Sequence, residues 1–212
     1  MDFLKRWKLL WPAAPRLSVV ASYARWLDRY NEPHRAYHTV AHIEDCLNVF
    51  DTFKHLANDA RVVEAAIWWH DLIYETRGRD KQAPSNELMS AEVALTDMGL
   101  MHCSAYFQAC VMDCILATKH DSIHVLDRDQ QLVVDIDLHT LGAAPAKFEK
   151  NSADVRKEYE FVPWDLYVRE RIKILERFLD RERIYYLPEM REAYEAQART
   201  NLKNEIFRLR SV

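Results

Sequence analysis

The sequence predicts an all-α protein, a single-domain bundle of about eight or nine helices. Glycine is scarce, since only Gly78, Gly99 and Gly142 occur among 212 residues. Few positions can therefore adopt positive φ without strain, which disfavours tight β-hairpins and Gly-rich phosphate-binding loops. Apolar residues recur at helical spacing along most of the chain, and hydrophobic residues make up 49% of it. A chain of this length can bury one sizeable core.

In the first half of the chain, proline, glycine and polar stretches separate four segments with helical periodicity. The third segment contains VVEAAIWWHDLIY and is apolar nearly all round, so it is expected at the centre of the bundle. The polar stretch Glu75–Pro84 has no periodicity and predicts a solvent loop. The predicted helices are Leu17–Tyr30, Thr39–Leu56, Arg61–Tyr74 and Asn86–Met98.

The second half continues the helical pattern without an internal repeat. Its predicted helices are Ala105–Lys119, Gln130–Leu141, Lys147–Phe161, Trp164–Tyr185 and a charged helix from Pro188 to the C-terminus. We expect one domain over residues 1–212, with a functional core at about 17–142 and a C-terminal helical part at about 145–212.

Composition excludes several classes of protein. The net charge of −4 argues against general nucleic-acid binding, which needs a basic face. The four cysteines contain no C-x-x-C pair, and residues 1–15 carry charges that disrupt a signal-peptide pattern. No stretch approaches the roughly 18 apolar residues of a membrane span. We therefore expect a cytoplasmic protein with neither nucleic acid nor a membrane among its partners.

Titratable residues interrupt two of the apolar helical segments. His70 and Asp71 follow Ile67, Trp68 and Trp69. A buried ionised Asp is unfavourable unless it is paired or bound to a metal. An Arg partner or a helix cap would satisfy a lone His-Asp pair, so the pair alone does not establish a metal site.

Further imidazoles and carboxylates extend this pattern. His38 and His42 lie four residues apart, so they share a face if their segment is helical. Asp135 and Asp137 lie in the apolar segment LVVDIDLHTLG. Imidazoles and carboxylates from different helices are typical of a divalent-metal site with positions open for water.

The order His, His-Asp, Asp resembles the HD-domain metal-dependent phosphohydrolases. The chain is most similar to an uncharacterised branch of predicted phosphohydrolases in that superfamily, and the similarity covers nearly its whole length. The shared motifs are R-x-Y-H-x-x-x-H-I at 35–43, W-x-H-D-x-x-Y at 68–74, N-E-x-x-S-A at 86–91, A-T-K at 117–119, D-x-D-L at 135–138, R-K-E-Y-x-x-V-P at 156–163 and A-R-x-N-L at 198–202.

The resemblance implies a set of metal ligands. His70 and Asp71 match the family's metal-binding pair, and Asp137 matches its final Asp because Leu138 follows it. Asp135 is the alternative to Asp137. Similarity to the cyclic-nucleotide phosphodiesterases assigns His42 as a further ligand and His38 as the general acid, with the reverse assignment as the alternative.

Other residues are candidates from their positions in the motifs. Arg35, Lys119 and Arg156 would neutralise phosphate oxygens. His120 and His124 would serve a second metal. The alarmone hydrolases of the superfamily carry H-D-x-x-E-D, whereas Tyr74 replaces their Glu in HDLIYE, which argues against that activity. Water-orienting candidates are Glu75 and Glu87.

These observations predict a metal-dependent phosphohydrolase acting on a small-molecule phosphomonoester or phosphodiester, with nucleotides among the candidates. The ligand types suit Mn, Fe, Ni, Co, Zn or Mg, and two metals are allowed. The alternative is a non-catalytic HD-fold protein that binds a ligand or a partner. The substrate, the identity of the metal and the oligomeric state do not follow from the sequence.

Overall fold

A computed structural model describes residues 1–77, 83–120 and 126–211. The described residues form ten α-helices and two short 3-10 helices and contain no β-strand, which confirms the all-α prediction. The α-helices are α1 Phe3–Leu10, α2 Arg16–Tyr30, α3 Val40–Phe53, α4 Ala60–Trp69, α5 Asn86–Leu100, α6 Ala105–Ala117, α7 Arg128–Asp137, α8 Pro145–Glu158, α9 Trp164–Leu179 and α10 Pro188–Arg210; the 3-10 helices are Lys54–Leu56 and Leu138–Gly142.

The sequence analysis predicted nine α-helices, and the additional one in the structure is α1. The Asp2 side chain accepts a hydrogen bond from the Lys5 backbone N–H and so caps the helix. Trp7 and Leu10 are buried, while Lys8 and Leu9 between them are exposed. A helix of eight residues is too short to give a clear periodic signal in the sequence.

Contacts divide the chain into two units, residues 1–134 and 135–212, and the boundary falls inside α7. The 3-10 helix Leu138–Gly142 packs against α10, so it groups with the C-terminal helices. The single domain expected from the sequence, with a functional core at about 17–142 and a C-terminal part at about 145–212, stays a prediction. Among the described residues no helix is both long and apolar enough to cross a membrane.

In the first unit, aromatic side chains surround the C-terminal end of α4. The rings of Trp26 and Trp68 lie edge to face with their centroids 4.8 Å apart. Trp26 Nε1 and the Tyr30 hydroxyl both donate to the Trp68 carbonyl oxygen, at 2.7 and 3.3 Å. A helix continuing past Trp69 would use that carbonyl to accept a backbone N–H. The aromatic side chains of α2 therefore help to end α4.

The helix predicted over Arg61–Tyr74 is thus too long, because α4 stops at Trp69 and His70 is its C-cap. His70 Nδ1 forms a hydrogen bond with the Ile67 carbonyl oxygen at 2.9 Å. The Leu72 N–H bonds back to the Trp69 carbonyl oxygen. Side chains and a turn therefore satisfy carbonyls that a longer helix would have used, and Asp71 leaves the helix axis.

The second unit is held together by side chains that bond to backbone. Asp135 is buried, and its carboxylate accepts from the Tyr186 and Leu187 N–H groups at 2.7 and 2.8 Å, just before α10 begins. The Tyr185 hydroxyl donates to the Leu138 carbonyl oxygen. A Cβ on Gly142 would lie 2.6 Å from the Tyr194 backbone oxygen, so close approach to α10 requires glycine there.

Glu205 links α10 to α8 in this unit. It accepts hydrogen bonds from Ser152 Oγ at 2.7 Å and from two nitrogens of Arg208 at 2.8 and 2.9 Å. Burial alone would raise the pKa of Glu205, but these hydrogen bonds outweigh it and lower the pKa below its ordinary value. Its ionised form therefore stabilises the folded state above the unfolded pKa of about 4.3, and this contribution is lost as the pH falls through the folded pKa.

We expect Glu205→Gln to be less stable than the wild type at pH 7 and to match it more closely at pH 3, because glutamine cannot form the ion pair. Urea unfolding followed by circular dichroism between pH 3 and 7 measures the two stability curves. Curves that stay parallel over this range would contradict a stabilising role for the ionised carboxylate.

Candidate metal centre

Three side chains of the first unit converge at the point where α4 ends. His42 lies on α3, and His70 and Asp71 are the first residues after α4. The two imidazole Nε2 atoms are 3.3 Å apart. Asp71 Oδ2 lies 3.1 Å from His70 Nε2 and 3.5 Å from His42 Nε2. Three potential ligand atoms therefore form a small triangle, and both imidazoles are buried.

The hydrogen bond of the other His70 ring nitrogen selects its tautomer. Nδ1 faces the Ile67 carbonyl oxygen at 2.9 Å, and a carbonyl can only accept, so Nδ1 carries a proton. In the neutral ring Nε2 is then unprotonated and has a lone pair toward His42 and Asp71. This arrangement, with one ring nitrogen donating to a carbonyl and the other able to ligate, is usual for metal-binding histidines.

The size of the triangle fits a first-row divalent metal. Metal–nitrogen and metal–oxygen bonds of about 2.0–2.2 Å place neighbouring ligand atoms about 2.9–3.5 Å apart, for angles between octahedral and tetrahedral. The three separations lie within this interval. The unprotonated His70 Nε2 and a carboxylate oxygen at such distances gain electrostatically from a cation placed among them.

Asp137, the fourth residue that the family resemblance implied as a ligand, lies in the last turn of α7 and belongs to the second unit. Its role as a metal ligand together with His42, His70 and Asp71 stays a prediction. The alternative residue, Asp135, has both carboxylate oxygens engaged by the Tyr186 and Leu187 N–H groups instead.

Asp135 therefore has a structural explanation that needs no metal. Burial is the largest influence on it and raises the pKa of Asp135 to about 7, although the two backbone hydrogen bonds oppose that shift. The sequence could not distinguish Asp135 from Asp137 by apolar context. Their separation by two residues on a helix places them on different faces, which is what assigns them different roles.

His38 lies beside the triangle of His42, His70 and Asp71 but does not belong to it. Its ring stacks on Tyr74 with the centroids 3.9 Å apart, and its centroid is 5.9 Å from that of His42. The His38 side chain is half-buried, whereas His42 is buried. The α3 helix begins only at Val40, with Thr39 as its N-cap, so His38 precedes the helix and the two rings do not share a helical face as the spacing suggested.

Arg35 does not make the phosphate contact predicted for it, because backbone oxygens occupy its guanidinium. Nη1 donates to the His38 and Asp71 carbonyl oxygens at 3.0 and 2.7 Å, and Nη2 donates to the Leu72 carbonyl oxygen at 2.7 Å. Nε bonds to Glu32 at 3.1 Å. The Arg35 side chain is 0% exposed. Arg35 thus joins the segment carrying His38 to the segment carrying Asp71 and cannot touch a substrate.

Two residues in the N-E-x-x-S-A motif hold the chain just beyond the His-Asp pair, a role that the sequence analysis missed. Ser90 Oγ accepts from the Ile73 N–H at 2.9 Å. The Asn86 side chain accepts from the Glu75 N–H at 3.2 Å and donates to the Glu75 carbonyl oxygen at 3.3 Å. The sequence signal that could have predicted this role is the presence of small polar residues on the face of α5 that meets an irregular segment.

The structure describes the remaining candidate residues to different extents. Arg156 donates to the Tyr159 and Val162 carbonyl oxygens, so it is a structural cation at the end of α8. Lys119 is exposed, and its predicted contact with phosphate stays a prediction. His120 is half-buried and has a positive φ of 58°. Its predicted partner at a second metal, His124, lies outside the described residues.

Comparison with known proteins adds nothing to this geometry. No protein-family model, curated protein or solved structure matches the chain.

Proposed function

We propose that the protein is a metal-dependent phosphohydrolase of the HD-domain type, which hydrolyses a phosphomonoester or phosphodiester of a small molecule in the cytoplasm. The observation that carries this proposal is the convergence of His42 Nε2, His70 Nε2 and Asp71 Oδ2 at 3.1–3.5 Å, with the His70 tautomer set by the Ile67 carbonyl oxygen. Nucleotides are the first substrate class to test.

The ligand set favours catalytic rather than structural metal binding. Closed structural zinc sites draw mainly on cysteine thiolates, whereas this group offers imidazoles and carboxylates. When bound, a divalent metal supplies a water of lowered pKa and polarises a phosphoryl oxygen. His42, His70, Asp71 and Asp137 would hold such an ion, and the buried imidazoles keep bulk water away from one side of it.

The proposal assigns His38 the role of the general acid that protonates the leaving group. The leaving alkoxide of a phosphate ester needs a proton, and imidazole supplies one near neutral pH. Stacking on Tyr74 fixes the plane of the His38 ring, while its partial exposure leaves an edge accessible to a substrate. Arg35 holds the His38 backbone carbonyl in place from the buried side.

Elemental analysis of protein purified without chelator tests the metal site. We expect near-stoichiometric transition metal in the wild type and less than a tenth of that in His70→Ala and Asp71→Ala. The control is His55→Ala, which removes an exposed imidazole of the same unit and should retain the metal. Asp137→Asn should lose metal, whereas Asp135→Asn should retain it and lose stability instead.

Hydrolysis of an aryl phosphate and of an aryl phosphodiester is measured in the same samples. Turnover that follows the metal content would support the phosphohydrolase. A wild type that binds metal but hydrolyses neither compound nor a panel of nucleotides after addition of Mn, Ni or Co would instead favour a ligand-binding protein. A wild type without metal even after these additions would refute the site itself.

A further inference from the structure

Asp71 follows the C-cap of α4, so its backbone leaves the bonding pattern of the helix. The Arg35 guanidinium donates to the Asp71 carbonyl oxygen at 2.7 Å. In a continuing helix the Asp71 N–H would bond to the Ile67 carbonyl oxygen, and His70 Nδ1 already bonds to that oxygen at 2.9 Å. The position of Asp71 therefore depends in part on groups from outside α4.

Tyr30, the last residue of α2, provides an acceptor for the Asp71 N–H. Its side chain is buried, and the Asp71 N–H donates to its hydroxyl oxygen. The hydroxyl itself donates to the Trp68 carbonyl oxygen at 3.3 Å. A phenol can make both bonds because it has one proton and accepts through its lone pairs. The Tyr30 hydroxyl thus joins the last turn of α4 to Asp71.

Burial keeps the Tyr30 hydroxyl protonated. Removal from water raises the pKa of Tyr30 well above its ordinary value, and the charge of the Asp71 carboxylate raises it further. At neutral pH the hydroxyl therefore keeps its proton for the Trp68 carbonyl oxygen and its lone pairs for the Asp71 N–H.

Two neighbours fix the ring of Tyr30. It packs against the Trp26 ring with the centroids 5.0 Å apart, and the Arg35 guanidinium carbon lies 5.0 Å from the Tyr30 centroid. The N–H and the C=O of Asp71 are thus held by two side chains, Tyr30 and Arg35, that also contact each other. Outer contacts of this kind orient the residues that bind a metal, and their loss typically costs about 10–100-fold in metal affinity.

We propose that Tyr30 is a positioning residue of the metal centre, whose hydroxyl holds the Asp71 backbone so that the carboxylate stays beside His42 and His70. The inference rests on the metal site of the proposed function and not on the reaction catalysed there. Tyr30→Phe removes the hydroxyl and keeps the ring, together with its contacts to Trp26 and Arg35. This variant therefore separates the positioning of Asp71 from the packing of the core.

Zinc titration of the full chain, first freed of metal with a chelator, tests Tyr30→Phe. Competition with a chromophoric chelator measures the affinity for Zn²⁺, and urea unfolding measures stability in parallel. Tyr30→Phe should bind Zn²⁺ about 10–100-fold more weakly than the wild type.

Trp26→Phe is the matched control, because Trp26 Nε1 also donates to the Trp68 carbonyl oxygen, at 2.7 Å. This variant loses a buried hydrogen bond and core volume, so it should unfold at a lower urea concentration than the wild type. Its bond reaches Trp68 and not Asp71, so its affinity for Zn²⁺ should stay within about threefold of the wild type. Loss of stability alone would therefore not reproduce the effect expected of Tyr30→Phe.

A double variant tests whether Tyr30 acts through Asp71. Asp71→Ala alone should weaken Zn²⁺ binding more than about tenfold. Adding Tyr30→Phe should weaken it further by less than about threefold, because the carboxylate to be positioned is already gone.

The outcomes separate this inference from the metal site itself. A wild type that binds Zn²⁺, beside a Tyr30→Phe variant of equal affinity, would overturn the inference and leave the metal site standing. A further loss of about tenfold in the double variant would also overturn it, because Tyr30 would then act on more than Asp71. A wild type that binds no Zn²⁺ would refute both the site and the role of Tyr30.

Discussion

The His38→Gln variant is expected to retain its metal and to lose a factor of about 10²–10⁴ in kcat, the usual contribution of a general acid. His38 is not one of the four predicted ligands, so the predicted ligand set stays complete in this variant. Without an acid, the variant must expel an unprotonated leaving group. The loss should therefore be largest for alkyl phosphates and smallest for p-nitrophenyl phosphate, whose phenolate leaves without protonation.

The pH dependence gives a second readout. An acid must be protonated to act, so the wild-type rate on an alkyl phosphate should fall as the pH rises past the imidazole range, around 6.5, and this limb should be absent from His38→Gln. His42→Gln is the matched comparison, and it should lose the metal. If His38→Gln lost the metal and His42→Gln kept it, the reverse assignment of the two histidines would be correct.

The Arg35→Ala variant is expected to lose about 3–5 kcal/mol of unfolding free energy, together with much of its metal. Removal of the Arg35 guanidinium leaves the carbonyl oxygens of His38, Asp71 and Leu72 without their buried donor. It also leaves Glu32 without a buried cation. Urea unfolding measures the stability, and elemental analysis measures the metal. Arg35→Lys should fall between the wild type and Arg35→Ala, because an ammonium group cannot span three carbonyls in the fork geometry of a guanidinium.

Arg29 provides a matched control for this variant. Arg29 pairs with the same Glu32 carboxylate at 2.8 Å, but its side chain is 46% exposed. Exposed ion pairs contribute about 0–1 kcal/mol, so Arg29→Ala should change neither the stability nor the metal content appreciably. Arg35→Ala protein that stayed stable and metal-loaded, yet bound phosphate esters weakly, would restore the phosphate-contacting role predicted from the motif.

Both predictions concern the short segments on either side of a helix end. The His-Asp pair lies where α4 stops, and His38 lies where α3 has not yet begun. Side chains in such positions depend on backbone held by side chains from elsewhere. Here Arg35, Ser90 and Asn86 provide that support for the segments around Asp71 and Tyr74.

The sequence by itself determined the all-α class and most of the helices, because apolar periodicity and scarce glycine are local properties that need no knowledge of the fold. It also proposed His42, His70, Asp71 and Asp137 as metal ligands through a family resemblance, with His38 and Asp135 as alternatives. The sequence did not reveal the side-chain interactions that end helices. Examples are the hydrogen bonds that Trp26 and Tyr30 donate to the Trp68 carbonyl oxygen.

Only the tertiary structure decided between residues with the same local pattern. Asp135 and Asp137 are both acidic residues in one apolar helix, and Asp135 is the one whose carboxylate accepts from the N–H groups that precede α10. Arg35 belongs to a motif that suggests a phosphate contact, yet three distant carbonyl oxygens occupy its guanidinium. The physical reason is the same in both cases. A polar side chain's role follows from the partner it meets on burial, and that partner is set by long-range packing.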